Sequence, residues 1–145
     1  MSVRKIIEAK QIQKIVTVKP EETVKTAAEI LAKFKIGAVI VSGDGDVVDG
    51  ILSERDIVRA LGTVGVSCMT GTVRDLMTAE VIGCSPEDTA NSVMEKMTDG
   101  RFRHMPVIEN KRMIGVISIG DVVKARLAEI ETENSALTGM IANSW

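Results

Sequence analysis

The sequence repeats itself about 66 residues apart. Residues 15–23 read IVTVKPEET and residues 81–89 read VIGCSPEDT, so proline, glutamate, a second acidic residue and threonine recur at the same spacing. Self-similarity of this kind indicates copies of one supersecondary unit, which bury their apolar faces against each other. The chain is therefore predicted to contain two related halves.

Both halves continue with the same predicted elements. After the threonine, apolar residues recur at the spacing of one face of an amphipathic helix. Residues 36–41 and 102–107 then indicate short buried strands, and residues 50–53 and 115–118 indicate strands that follow a hairpin turn. The apolar helical positions are Val24, Ala27, Ala28 and Leu31 in the first half and Ala90, Val93, Met94 and Met97 in the second.

These patterns predict an α/β fold of two pseudo-symmetric βαββα-type repeats. A unit of roughly 50 residues is small for an independent core, so we expect the two repeats to pack as one module. We place repeat one at residues 11–61, a linker at 62–80, repeat two at 81–127, and a C-terminal helix extension and tail at 128–145. Residues 3–7 fit either a short helix or an added strand, and the role of Trp145 stays open.

Composition excludes several classes of partner. The formal net charge is −2 and aromatic residues make up 2% of the chain, which leaves no footprint for phosphate backbones and no platform for stacking bases. We therefore expect no nucleic acid partner. No apolar run approaches the roughly 20 residues of a membrane-spanning helix. Two cysteines without a framework pattern favour the cytoplasm over an oxidising compartment.

Metal and catalytic sites are not expected either. Cys68 and Cys84 lie far apart and His104 is the only histidine, so one chain cannot assemble four nitrogen and sulfur ligands for zinc. No nucleophile and base stand at a recognisable spacing, and the sequence has no glycine-rich phosphate loop. We expect a protein that is not an enzyme.

A Ser-x-x-Asp motif follows the last strand of each repeat, from Ser53 to Asp56 and from Ser118 to Asp121. One interpretation is a capping box, in which serine and aspartate satisfy the free N–H groups where the next helix begins. The other is a ligand site, because a helix N-terminus favours a phosphate and a first-turn carboxylate can accept both hydroxyls of a ribose. The pattern alone does not separate the two interpretations.

Together with residues 102–107, FRHMPV, and the acid-threonine pair before each amphipathic helix, these motifs resemble a tandem pair of CBS (cystathionine β-synthase) domains. The resemblance covers about residues 11–127. It implies a Bateman module of the small stand-alone bacterial type, with two clefts between the repeats. Such modules bind AMP, ADP, ATP, S-adenosylmethionine or NAD(H), and they generally perform no chemistry.

The resemblance also implies roles for individual residues. Asp56 and Asp121 would hold ribose hydroxyls, while Ser53 and Ser118 would approach a phosphate. Further residues expected at the Asp121 cleft are Thr17, Gly37 and Ala38, and those expected near Asp56 are Arg55, Met77, Thr78, Ile82, Arg103 and His104. Alternatively, Arg103 and His104 would turn toward the phosphate of the Asp121 cleft. Candidates for the aliphatic surface around adenine are Val16, Ala38, Met77, Ile82 and Met105, and Pro106 completes the expected set.

The two clefts are not expected to be equivalent. The motif of repeat one contains Arg55, whose charged fork suits a phosphate, whereas the motif of repeat two offers only the backbone of Ile119 and Gly120. A lone strand histidine such as His104 is more often a packing residue than a ligand contact. We expect the clefts to differ in affinity or in ligand.

The predicted function is that of a non-catalytic sensor that couples binding of an adenine nucleotide to conformation or association. AMP is the first choice, with NAD(H) and ATP as further candidates. The alternatives are an S-adenosylmethionine sensor and a structural module with vestigial clefts. The resemblance also implies a homodimer, and we expect the output to pass to the oligomer or to an unidentified effector protein.

Overall fold

The computed structural model describes residues 1–10 and 15–143. The predicted start of repeat one at Gln11 and the terminal Trp145 lie outside the described residues. The elements follow in the order α1 (Val3–Ala9), β1 (Thr17–Val18), α2 (Val24–Phe34), β2 (Ala38–Val41), β3 (Gly50–Ser53), α3 (Glu54–Thr63), a 3-10 helix (Val66–Thr70), α4 (Val73–Leu76), α5 (Ala90–Gly100), β4 (His104–Glu109), β5 (Arg112–Ser118) and α6 (Ile119–Asn143). The predicted α/β class is confirmed.

Repeat one folds in the predicted order. β1 pairs in parallel with β2, and β2 pairs antiparallel with β3. α2 begins after Thr23, whose hydroxyl accepts a hydrogen bond from the backbone N–H of Thr26, and it ends at Lys35 in a left-handed conformation with φ 54°. Its apolar face packs on the sheet in a core that contains Val24 and Leu52. The buried face of α2 is therefore the one that the spacing of its apolar residues predicted.

Repeat two has the same order with one difference. β4 and β5 form the antiparallel hairpin, and Thr89 caps α5 as its counterpart caps α2. The predicted first strand is reduced to a single parallel bridge between Cys84 and Val107. Pro86 follows two residues later and has no N–H to extend the ladder, just as Pro20 follows β1. In each repeat the proline therefore ends the first strand on its C-terminal side.

The N-terminal segment forms a helix, and this helix packs on repeat two. The backbone N–H groups of Val3 and Arg4 donate to the carbonyl oxygens of Asp88 and Pro86 at 2.8 and 2.9 Å. Val3 is fully buried and Ile6 nearly so, inside the core of repeat two. α1 thus completes the second repeat although it precedes the first repeat in the sequence.

α4 makes the equivalent contacts with repeat one. The backbone N–H groups of Val73 and Arg74 donate to the carbonyl oxygens of Glu22 and Pro20 at 2.8 and 3.0 Å. Val73 is fully buried in the core of repeat one. Part of the segment predicted as a linker therefore supplies core to the repeat that precedes it.

α1 and α4 share a short sequence pattern. Each of these two helices packs on the other repeat from the one that it precedes, and we call them the exchanged helices. Residues 2–4 read SVR and residues 72–74 read TVR, and each arginine forms an ion pair with the glutamate that follows a proline in the repeat it covers. The two pairs are Arg4–Glu87 at 3.0 Å and Arg74–Glu21 at 2.7 Å. Because both ion pairs are exposed, they contribute little stability. Their matching positions show that α1 packs on repeat two in the same way as α4 packs on repeat one.

Candidate functional site

The two repeats meet at the first residues of β2 and β4. Gly37 stands beside His104, since a Cβ atom added to this glycine would lie 3.5 Å from the imidazole Cε1. The helix that follows each last strand is tied to this meeting point, because Glu54 N–H donates to Gly37 O at 3.0 Å and Ile119 N–H donates to Arg103 O at 2.8 Å. A cleft lies on either side of this junction.

The first cleft, which we call the Asp121 cleft, has a volume of about 350 Å³. Lys10 reaches into it from the end of α1, and its Nζ donates to Asp121 Oδ2 at 3.0 Å and to Val116 O at 3.1 Å. Much of the wall is aliphatic. The described residues that line this cleft are Lys10, Ile15, Val16, Lys35, Ile36, Gly37, Ala38, Ile40, Ile51, His104, Val116 and Ser118.

The second cleft, the Asp56 cleft, is larger, at about 530 Å³. Its lining is strongly charged. The cationic residues are Arg55, Arg59, Arg101 and Arg103, and the anionic residues are Glu54, Asp56 and Glu80. The remaining described lining residues are Gly37, Ala38, Ile51, Ser53, Thr78, Val81, Ile82, Gly100, Phe102 and His104. The two clefts therefore share the wall formed by the junction of the repeats.

Both Ser-x-x-Asp motifs form capping boxes. Asp56 N–H donates to Ser53 Oγ at 3.3 Å and Ser53 N–H donates to Asp56 Oδ2 at 2.9 Å. Asp121 N–H donates to Ser118 Oγ at 3.1 Å and Ser118 N–H donates to Asp121 Oδ2 at 2.9 Å. The same contacts hold each carboxylate rigidly at the edge of a cleft, so capping and ligand binding are compatible roles.

The clefts bring together most of the residues singled out from the sequence. Gly37, Ala38, His104 and Ser118 line the Asp121 cleft, beside Asp121 itself. The predicted residues at the Asp56 cleft are Gly37, Ala38, Ser53, Arg55, Asp56, Thr78, Ile82, Arg103 and His104. Gly37, Ala38 and His104 thus serve both clefts, whereas the sequence analysis assigned the glycine-alanine pair to one.

Five predicted residues lie outside both linings within the described part of the chain, and one of them, Asp121, contacts the lining residues Lys10 and Ser118. Met105 and Pro106 are buried, and Met105 belongs to the core of repeat two. Met77 packs against the core of repeat one, and Thr17 pairs with Ile40 in the sheet. Tertiary packing places these side chains, and the alternation along a strand does not show which of its faces meets the other repeat.

Sequence reasoning missed six charged residues of the clefts. They are Lys10 and Lys35 in the Asp121 cleft, and Glu54, Arg59, Glu80 and Arg101 in the Asp56 cleft. A signal existed for two of them, because Ala9-Lys10 follows the SVR pattern at the same spacing as Ala79-Glu80 follows TVR.

Charge around the Asp121 cleft affects two titrating groups. Partial burial alone would raise the pKa of the Asp121 carboxyl, but the hydrogen bond from the Ser118 backbone and the contact with Lys10 outweigh burial and hold this pKa below its ordinary value. Burial lowers the pKa of His104, and the positive charges of Lys10 and Arg103 act in the same direction. Burial therefore favours the neutral form of His104.

We expect the NMR titration of His104, the only histidine, to have its midpoint below 6.5. Because the folded-state pKa lies below the unfolded value, the stability that neutral His104 contributes is complete above pH 6.5 and is lost as the pH falls through the folded-state pKa. Asp121→Asn should lower the midpoint further, since the Asp121 charge opposes the shift. A midpoint at or above 6.5 contradicts the burial argument.

The same paired arrangement recurs in known proteins. A family model of the CBS domain matches residues 4–63 and 73–128, and each matched segment begins in an exchanged helix. The chain belongs to the CBS domain family. It is 37% identical over 129 residues to the mitochondrial CBS domain-containing protein CBSX3 of Arabidopsis thaliana, covering 86% of this chain and 63% of that relative. This CBS domain pair therefore spans less than two thirds of that protein.

Solved structures of CBS proteins share the fold of the chain. A CBS-domain containing protein from Agrobacterium tumefaciens is 45% identical, with a TM-score of 0.82 and coverage of 87% of this chain and 99% of the other. A CBS domain pair crystallised with 5′-methylthioadenosine and S-adenosyl-L-methionine has a TM-score of 0.75 at 22% identity, over 89% and 98% of the two chains. At that identity the likeness concerns the fold.

Two further observations concern the reactivity of the Cys84 thiol and the presence of membrane-spanning helices. Burial raises the pKa of the Cys84 thiol to about 11, which keeps this thiol protonated and unreactive at neutral pH. Within residues 1–10 and 15–143, no helix is both long enough and apolar enough to cross a bilayer.

Proposed function

We propose that this CBS domain pair is a non-catalytic sensor that binds an adenine nucleotide in its clefts, with AMP as the first candidate and NAD(H) and ATP as further candidates. The observation that carries the proposal is the repeated arrangement of a rigid first-turn carboxylate, Asp56 or Asp121, beside a cleft that also holds cationic side chains. Stand-alone CBS domain proteins are typically regulatory, which is consistent with this role.

Each part of a nucleotide has a counterpart in the clefts. The carboxylate accepts hydrogen bonds from the ribose hydroxyls, and nearby lysine or arginine side chains form ion pairs with the phosphate. In the Asp121 cleft, adenine fits the aliphatic wall that includes Val16, Ile36 and Val116. The fold can hold adenosine derivatives, because the solved CBS pair described above contains two of them.

S-adenosylmethionine is a second candidate for the Asp56 cleft. Three carboxylates, of Glu54, Asp56 and Glu80, line this cleft and could pair with its sulfonium and ammonium charges. The arginines of the same cleft favour a phosphate-bearing ligand instead. Two vestigial clefts in a structural module would bind neither ligand.

A thermal-shift panel with AMP, ATP, NAD and S-adenosylmethionine tests these alternatives. A ligand at 100 times its dissociation constant adds about 2.7 kcal/mol to the free energy of unfolding, which is a shift of several degrees for a domain of this size. We expect AMP to raise the melting temperature, with guanosine monophosphate as the matched control that changes only the base. No shift with any adenosine ligand would support a structural module.

We also propose that the sensor acts as a homodimer in the cytoplasm. Apolar side chains are exposed on α3 and α6 at related positions, with Val58 66% and Val123 41% exposed, and Leu127 extends the surface on α6. A second copy of the chain would cover this surface, and a ligand that favours one arrangement of the copies would pass its signal to an effector protein. The two buried cysteines are free, which fits a reducing compartment.

A further inference from the structure

The two clefts carry opposite charges at one symmetric position. Lys10 ends the segment that begins with SVR, and Glu80 ends the segment that begins with TVR. Each of the two lines the cleft next to the Ser-x-x-Asp motif of one repeat. At this position Asp121 therefore faces a cation, whereas Asp56 shares its cleft with another carboxylate. The nearest cation to Asp56 comes from its own helix, where Arg59 Nη1 lies 4.0 Å from Asp56 Oδ1.

Lys10 is held against the carboxylate that the proposed function assigns to a ribose. Its Nζ lies 3.0 Å from Asp121 Oδ2, and the side chains of Lys10 and Asp121 are 35% and 23% exposed. An ion pair at this depth is only partly screened by solvent, so breaking it without replacement costs binding free energy. A ribose that donates hydrogen bonds to Asp121 competes with this ammonium group.

The cost depends on what the ligand offers to Lys10. An uncharged nucleoside would displace the ammonium from Asp121 and give it no new anion. A nucleoside phosphate supplies one, and the flexible four-carbon stem of lysine allows its head group to move within the cleft. Specificity is the difference between these two affinities, and an interaction that penalises one ligand contributes as much as one that favours the other.

We propose that Lys10 makes the Asp121 cleft selective for phosphorylated over unphosphorylated adenosine ligands, by passing from Asp121 to the phosphate when the ligand binds. This inference rests on the proposed function. Lys35 also lines the cleft and adds positive charge, but among the described residues it forms no hydrogen bond or ion pair with Asp121. Lys35 therefore favours a phosphate without penalising a nucleoside.

Calorimetric titration with AMP and adenosine tests the proposal. An Asp56→Ala background leaves the Asp121 cleft as the site measured. Lys10→Met in this background should weaken AMP binding and strengthen adenosine binding, each about 3-fold, so that the preference for AMP falls by about 10-fold. Lys35→Met, the matched control, should weaken AMP binding alone, and Lys10→Arg should keep the preference. The melting temperature without ligand checks that each variant folds.

The possible failures are distinguishable. If the parent protein binds neither AMP nor adenosine, the proposed function is overturned together with the inference. If the parent binds AMP but the Asp56→Ala background does not, the Asp121 cleft takes no nucleotide and only the inference fails. The inference is also overturned if Lys10→Met leaves adenosine affinity unchanged or weaker.

Discussion

Replacing Val3 by aspartate is expected to unfold the second repeat, although Val3 lies before the first repeat in the sequence. Its side chain is fully buried in the core of repeat two, beside residues such as Val93 and Ile117. A buried carboxylate without a partner costs about 3–5 kcal/mol, which is a large part of the 5–15 kcal/mol that stabilises a typical domain. Urea denaturation followed by circular dichroism measures the loss.

The matched control is Lys5→Asp, which places the same charge on the same helix at an exposed position. This change should alter the free energy of unfolding by less than about 0.5 kcal/mol. Val73→Asp is the symmetric test, because Val73 is equally buried in repeat one. If Val3→Asp unfolds at the urea concentration of the parent, α1 does not complete the second repeat in solution.

Alanine at Asp56 or at Asp121 is expected to abolish one nucleotide-binding event each. Two charge-assisted hydrogen bonds to a ribose contribute about 3 kcal/mol, so affinity at the altered cleft should fall by about 100-fold. Each change also removes the carboxylate of a capping box and should cost about 1 kcal/mol of stability. Calorimetric titration of each variant gives the stoichiometry and affinity, and the two variants report on separate clefts.

Asparagine variants separate the two effects. The side-chain amide oxygen of Asp56→Asn or Asp121→Asn can still accept the hydrogen bond from Ser53 or Ser118 N–H, so the fold keeps most of the cap. The negative charge that strengthens the contact with the ribose hydroxyls is lost. We expect near-parent stability with weakened binding, whereas alanine and asparagine variants that bind as the parent does would refute the ribose assignment.

The two clefts share one wall at the junction of the repeats. Gly37, Ala38 and His104 line both, and His104 also responds to the charge of Asp121. A ligand in either cleft would therefore touch residues that also line the other cleft. Coupling between the clefts requires only that one occupant change the arrangement of this wall.

Local patterns determined much of this protein. The 66-residue repeat, the helical spacing after Thr23 and Thr89, and the two Ser-x-x-Asp motifs predicted the order of elements, the paired architecture and the capped helices. These features depend on hydrogen bonds and apolar faces within about a dozen residues, so the sequence alone displays them. The boundaries proposed for the repeats and the linker stay a prediction.

Only the tertiary structure showed which segments meet. α1 completes repeat two and α4 completes repeat one, and the fold brings Lys10 against Asp121 while it buries Met105 away from the clefts. Such contacts join residues far apart in the chain, and their selection depends on shape and burial across the whole molecule. The sequence therefore determined what each segment forms, whereas packing between distant segments decided which charges line each cleft.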